Sequence, residues 1–277
     1  MPSNPIDAAI EQERATRPAF SLRGTMPVRP QPSIYVGSAY GRYLEPDHIQ
    51  SVMRLLRHPI TFAPTWNDAL LCRARSKTAT AFLLDSKADV HVSIDSDIVF
   101  DPQSVLQIAH QAHDLGGPVA GLYVTRAKGG LCRPTSILEA DVPIELGTDP
   151  TPVPIKWAAT GFLATPRRVF ERLAKDLPLC HPTEWWKFYP FYMPAIVDGL
   201  NGPNYLSEDF AFCERVRQAG FTVYLNPAVR LLHVGNHAFR IEDLGQTEIE
   251  PAPVRMTYLS DGRYMYERAD ASVATAR

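Results

Sequence analysis

The first apolar run, "SIYVGSAYG" at 33–41, leads into a loop of small residues and predicts a strand. "EPDHIQSVMRLLRH" follows, with Ile49, Val52, Met53 and Leu56 at helical spacing and Pro46 in the first turn, where its missing N–H costs nothing. A second helix is expected over 67–86, with Leu71, Ala74, Thr78, Ala81 and Phe82 on one face. Val90, Val92 and Ile94 then alternate with His91 and Ser93 in the period of a strand. Asp101 and Pro102 open the helix "PQSVLQIAHQAHDL", which Gly116 and Gly117 close. "PVAGLYVTR" (118–126) and "AATGFLAT" (158–165) read as strands, "PRRVFERLAKDL" and "SEDFAFCERVRQAG" (207–220) as helices, and "FTVYL" and "VRLLHVG" as two more strands. Such alternation predicts an α/β fold with a mostly parallel, doubly wound central sheet flanked by helices.

Three segments break the rhythm. Residues 1–32 carry six prolines among polar residues and read as a flexible arm with a short helix near Asp7–Arg14. "CHPTEWWKFYPFYMP" (180–194) crowds Trp185, Trp186, Phe188, Tyr189, Phe191 and Tyr192 between prolines that forbid a regular helix, so a long loop or excursion is expected. Residues 245–277 show no strong period and are expected as a tail folded over the body.

At 277 residues the chain is long enough for a full hydrophobic core, and 45% apolar with 21% charged residues is ordinary for a globular protein. A net charge of −2 gives no general pull toward nucleic acid or anionic lipid. Cys72, Cys132, Cys180 and Cys213 lack CxxC spacing and read as buried or free thiols of a reducing compartment. With no run approaching a membrane span and no basic-then-apolar leader, the expectation is a soluble cytoplasmic protein.

Within "VSIDSDIVFDP" (92–102), Asp95 and Asp97 fall where the apolar strand should end. Buried carboxylates need a positive partner. In strand alternation both would point the same way and could converge on a hard divalent cation, Mg²⁺ or Mn²⁺, although both could equally cap the next loop and face water. Glu208 and Asp209 open a helix behind Ser207, a good N-cap, where the helix dipole alone would favour acidic residues. His233 ends a second apolar strand and could complete a metal site or serve the core. Arg73 and Arg75, on the helix before the aspartate strand, could neutralise phosphates or form a solvated face.

Taken in order, these blocks resemble the GT-A glycosyltransferases of the family 2 type: "SIYVGSAYGR", "CRARSKTATAFLLDS", the DxD-containing "SIDSD", "GGPVAGLYVTR", "ATGFLATPRRVFERL", "SEDFAFCERVRQAGF" and "LLHVG". The resemblance implies a Rossmann-like catalytic domain over 33–244, with a nucleotide-binding half (33–126) and an acceptor half (127–244). It implies Mn²⁺ or Mg²⁺ held by Asp97 and His233, with Asp95 sharing the metal or contacting the ribose. Tyr35, Val36 and Ser38 would cradle base and ribose, Arg75 would lie near the diphosphate, and Gly161 and Phe162 would line the donor-sugar pocket. Asp209, or Glu208 if the helix starts one residue differently, would be the base of an inverting transfer, its pKa lowered by the positive helix end.

The implied donor is a nucleotide sugar, most simply a UDP-sugar. The acceptor is a glycan, lipid-linked sugar, protein or modified nucleic-acid base. Trp185, Trp186 and Tyr189 suit stacking on an acceptor's sugar ring, and core packing, a homodimer interface or a membrane-surface patch would use them as well. Three rivals share parts of the pattern. "DSDIV" also fits a haloacid-dehalogenase phosphatase, but that box normally lies near the N-terminus. A sugar nucleotidyltransferase would need a richer Gly/Arg loop than "GSAYGR". A carbohydrate- or nucleic-acid-binding module would keep the scaffold without the reaction.

Overall fold

The computed structural model describes residues 31–126, 132–183, 186–199, 202–235, 238–241, 244, 254–268 and 274–275. The chain divides into two units, Met1–Gln31 and Pro32–Arg277, and every element below belongs to the second. The helix expected near Asp7–Arg14 lies outside the described residues. In chain order the elements are β1 (Ile34–Tyr40), α1 (Pro46–Leu55), β2 (Ile60–Trp66), α2 (Leu71–Asp85), β3 (Val90–Ile94), β4 (Ile98–Phe100), α3 (Pro102–Leu115), β5 (Val119–Gly121), β6 (Pro143–Leu146), β7 (Val153–Ile155), β8 (Phe162–Pro166), α4 (Arg167–Leu173), β9 (Cys180–Thr183), β10 (Trp186–Phe188), β11 (Ala195–Gly199), β12 (Gly202–Leu206), α5 (Glu208–Gln218), β13 (Val223–Asn226), β14 (Leu231–Val234), β15 (Ala238–Phe239), β16 (Val254–Tyr258), β17 (Tyr264–Arg268) and β18 (Ala274–Thr275).

A seven-stranded sheet in the order β2-β1-β3-β8-β5-β13-β7 forms the centre. β1 pairs in parallel with β2 and β3, and β13 in parallel with β5. β8 runs antiparallel between β3 and β5, placing Phe162 opposite Ile94, and β7 is antiparallel to β13 at the far edge. Five of the seven strands therefore run one way, as the α/β reading expects. Both faces are covered, which is why β3 and β8 are buried at every position. Ile34 and Val36 join Val52 and Leu55 of α1 and Ile108 of α3 in one core. Tyr35, pointing the other way, joins Phe82 of α2, Phe170 of α4 and Phe212 of α5 in the second. Each fully buried aromatic of this kind contributes about 1.5–3 kcal/mol.

Local signals set several boundaries as expected. Asp101 accepts a hydrogen bond from the Gln103 N–H at 2.7 Å to cap α3, and Gly116 ends it in the left-handed region with φ 70°. Ser207 stands at the N-cap of α5, yet its hydroxyl makes no capping bond there. β2, "ITFAPTW", is a strand that the sequence reading does not contain; as the edge strand of the sheet it tolerates Pro64, which lacks a ladder donor.

The expected loop at 180–194 instead contains the antiparallel pair β9–β10, and its end turns inward: Phe191 and Tyr192 are wholly buried. The segment expected as a tail over the body contributes strands. β16 pairs with β6 and with β17, which pairs with β18, making a four-stranded antiparallel sheet whose Val254 and Met256 enter the same core as Ile144 and Leu146. All four cysteines are free thiols. Among the described residues no helix is long and apolar enough to cross a membrane.

Candidate active site

The site lies at the carboxyl end of β3, where open α/β sheets commonly bind ligands. β3 stops at Ile94, and the chain turns at once, the Ile98 N–H donating to the Asp95 carbonyl at 3.1 Å. Strand alternation thus does not extend through Asp97. The two aspartates do not converge; the turn sends them to different partners.

Asp95 faces Arg75. The Nη2 of Arg75 reaches both carboxylate oxygens, at 2.7 and 2.8 Å. Its Nη1 reaches Asp209 Oδ1 at 2.5 Å and Glu208 Oε1 at 3.2 Å. Three carboxylates, one just past β3 and two from α5, thereby share one guanidinium, only 4% exposed, supplied by α2. Burial works against its charge, but Asp95 and Asp209 outweigh that and raise its pKa. Arg75 is therefore neither a solvated arginine nor one turned to an incoming diphosphate; it is the internal counter-ion of the acidic residues.

Asp209 also accepts a short hydrogen bond from the Thr160 hydroxyl on that same Oδ1. Among the described residues, Oδ2 receives none. Burial raises the Asp209 pKa, against the lowering influence of Arg75, with Asp95 adding to the rise. The expectation of a lowered value at the helix end is thus reversed: desolvation exceeds the dipole here.

Gly161 closes the floor. A Cβ built there would lie 2.4 Å from the Tyr123 hydroxyl and 2.6 Å from Asp95 Oδ2, so no larger residue fits without movement. The Gly161 N–H donates to the Tyr123 hydroxyl at 3.1 Å, and the Asp95 N–H donates to the Gly161 carbonyl at 2.9 Å. Burial, followed by the charges of Asp95 and Asp209, holds the Tyr123 phenol well above its ordinary pKa.

Asp97 faces the other way, toward β14, which pairs with β4 and β15 in a separate three-stranded ribbon. Its Oδ2 lies 3.4 Å from His233 Nε2 and 3.0 Å from Arg126 Nη1. His233 Nδ1 sits 2.7 Å from the Val124 carbonyl, and its ring packs edge-on against Tyr123. A carbonyl can only accept, so Nδ1 carries a hydrogen, and Nε2 is the nitrogen turned toward the carboxylate. Burial pushes the Asp97 pKa up, but hydrogen bonding and charge from His233, with Arg126, carry it below the usual value.

Other expected residues fall elsewhere. Tyr35 packs among Phe82 and His91, and Val36 and Phe162 are fully buried, so these three side chains belong to the core and not to a base, ribose or sugar pocket. Ser38 is buried as well. Both faces of the sheet are covered, which removes the strand interior from any ligand.

Trp186 is half-buried, stacks on Phe188 and carries Lys77 Nζ 3.9 Å above its ring. Tyr189 packs against the core, its N–H donating to Thr80 Oγ1 at 2.9 Å. Trp185 lies outside the described residues. Arg73 pairs with Asp68 at 2.6 Å, away from the acidic cluster.

Sequence reasoning missed Arg126, Thr160 and Tyr123. Thr160 adjoins Gly161 in "ATGF", and Arg126 ends "GLYVTR", but nothing in either pattern shows what faces them. Among the described residues, no three His, Cys, Asp or Glu side chains are grouped closely enough to hold a metal by themselves. Asp97 and His233 are brought together; Asp95 is not part of that pair.

No protein-family model matches the chain, and no curated protein does. Among solved structures the chain is similar to the protein A197 from STIV, with a TM-score of 0.46 and 13% identity over 88% of this chain and 98% of that one. It is also similar to GalNAc-T7, in a crystal structure with UDP, GalNAc and Mn²⁺, with a TM-score of 0.44 and 12% identity over 79% of this chain and 46% of that one. Likeness at this level concerns the course of the backbone alone.

Proposed function

We propose that this chain is a metal-dependent glycosyltransferase of the GT-A type, moving a sugar from a UDP-sugar to an acceptor hydroxyl with inversion. One observation carries the reading: His233 turns Nε2 toward the Asp97 carboxylate, across 3.4 Å, while the Val124 carbonyl holds Nδ1. A neutral imidazole nitrogen and a carboxylate set this way are two acceptors suited to a cation between them. Two ligands on adjacent vertices of an octahedral Mg²⁺ or Mn²⁺, each at about 2.1 Å, stand about 3 Å apart. The pair therefore fits such an ion. The hydrogen bond to the Val124 carbonyl is the outer support that fixes a ligating histidine's tautomer. Two protein ligands leave positions for a diphosphate, the usual mode for these cations.

Asp97 and His233 would hold the ion, and the ion, when bound, would stabilise charge on the departing nucleoside diphosphate. The remaining work belongs to the protein. Arg75 draws Asp95, Glu208 and Asp209 together, with Gly161 leaving room for Asp95 and the Tyr123 hydroxyl. Asp209 Oδ2, with no partner among the described residues, is the oxygen disposed to take the acceptor's proton. Its raised pKa makes it a better base than an ordinary aspartate.

A thermal-shift panel of UDP, GDP and ADP, with and without Mn²⁺, tests the assignment. UDP should raise the melting temperature only with Mn²⁺ present, since binding to the native state alone stabilises it. Asp97→Asn should abolish that shift, and Asp209→Asn should keep it while losing transfer by about 100-fold or more. Equal shifts with and without the metal would overturn the reading.

A further inference from the structure

Asp97 already has a cation. Arg126 Nη1 lies 3.0 Å from Oδ2, the same oxygen that faces His233, and donates to the Val234 carbonyl at 3.2 Å. The stem of Arg126 runs over Gly235, where a Cβ would stand 3.0 Å from the arginine's Cδ. The glycine at the end of "LLHVG" thus makes a seat for this one side chain. The seat is shallow: Arg126 is 47% exposed and its anchors are one carboxylate and one carbonyl. Arg75, 4% exposed and gripping three carboxylates, contrasts in every respect.

We propose that Arg126 is an exchangeable counter-ion for the metal pair, neutralising Asp97 in the metal-free protein and releasing it when Mn²⁺ or Mg²⁺ binds. This rests on the reading of Asp97 and His233 as metal ligands. A divalent ion on Oδ2 and a guanidinium on the same oxygen would repel across a few ångströms. The guanidinium is the partner that can leave, because water is open to it and its two anchors are weak beside a metal–carboxylate bond. Released, it keeps a planar fork suited to phosphate oxygens. Metal affinity in this protein is then set partly by how firmly Arg126 is seated.

The test is direct titration of Mn²⁺ into the full chain without nucleotide, following free Mn²⁺ by electron paramagnetic resonance. Arg126→Gln should bind Mn²⁺ about 5- to 20-fold more tightly than the parent chain, the scale on which a neighbouring charge acts at a half-exposed site. Gly235→Ala, which leaves Arg126 in place but crowds its Cδ, should tighten binding in the same direction. The double variant should gain little beyond Arg126→Gln, because both act on one seat. Asp97→Asn should abolish binding in every background. If the parent binds Mn²⁺ and both single variants bind it equally or more weakly, the exchange is overturned and the metal site stands. If no chain with Asp97 intact binds Mn²⁺, the metal reading falls and takes the exchange with it.

Discussion

Arg75 is the residue on which the site's order depends. Removing it leaves Asp95, Glu208 and Asp209 facing one another without compensation, and breaking a buried pair of this kind costs about 3–5 kcal/mol. Arg75→Met should therefore lower the denaturation midpoint strongly in a urea titration, and adding Asp95→Asn and Asp209→Asn should restore most of the loss. Failure of the added changes to restore stability would show that Arg75 acts through packing and not charge. The chemistry of individual positions was partly legible. Asp95 at a strand end, Asp209 at a helix start and His233 at another strand end are all where pattern puts them. Which cation each acid faces was not, because partners separated by 20 and 134 residues leave no local trace. One signal for Arg75 did exist: Ala74, Ser76, Thr78, Ala79 and Thr80 surround it, and small residues on nearly every side of a helix mean close packing all round.

Between elements, α2, α4 and β3 enclose a histidine with no polar partner. His91 sits among Tyr35, Phe82 and Phe170, and neither ring nitrogen is hydrogen-bonded among the described residues. Burial pushes its pKa down to about 3. The unfolded chain takes up a proton near pH 6.5, the folded one only near pH 3, so stability is complete above about 6.5 and declines as pH falls through that window. The slope attributable to His91 is roughly 1.4 kcal/mol per pH unit. Buried His48, whose pKa is also lowered by burial, adds to it in the same direction. Denaturation of His91→Leu at pH 7 and pH 4.5 should show a smaller difference than in the parent chain; an unchanged difference would exclude His91 as the cause. Element types with strong periods were well anticipated. The misses have physical reasons: Pro64 is tolerable only because β2 is an edge, and β8 reverses direction through tertiary pairing that no local pattern encodes.

For the molecule as a whole, the expected division at residue 126 into nucleotide and acceptor halves is not a division of the sheet. β8 and β13 from the later half flank β5 from the earlier one, and β8 also borders β3. The last strands are equally integral. Val254, Met256 and Tyr266 share a core with Leu122 and Val124, next to the carbonyl that orients His233. A chain ended after residue 250 should therefore lose Tm together with the Mn²⁺-dependent nucleotide binding proposed above; retention of both would show that the terminal sheet is dispensable. The strands within the expected tail were not legible because Val254–Tyr258 is too short for its alternation to stand out from the polar residues around it.

The reversed strand at the sheet's centre has a further consequence, for synthesis. Until residue 166 has left the ribosome, β3 has β1 on one side and an open edge on the other, exposing the backbone groups of a strand that the finished fold buries at every position. About 70 residues separate β3 from the strand that seals it, and closure of so distant a pairing is slow. During that interval the unpaired edge of the nascent chain is open to pairing with its neighbours, before Asp95 and Asp209 can meet.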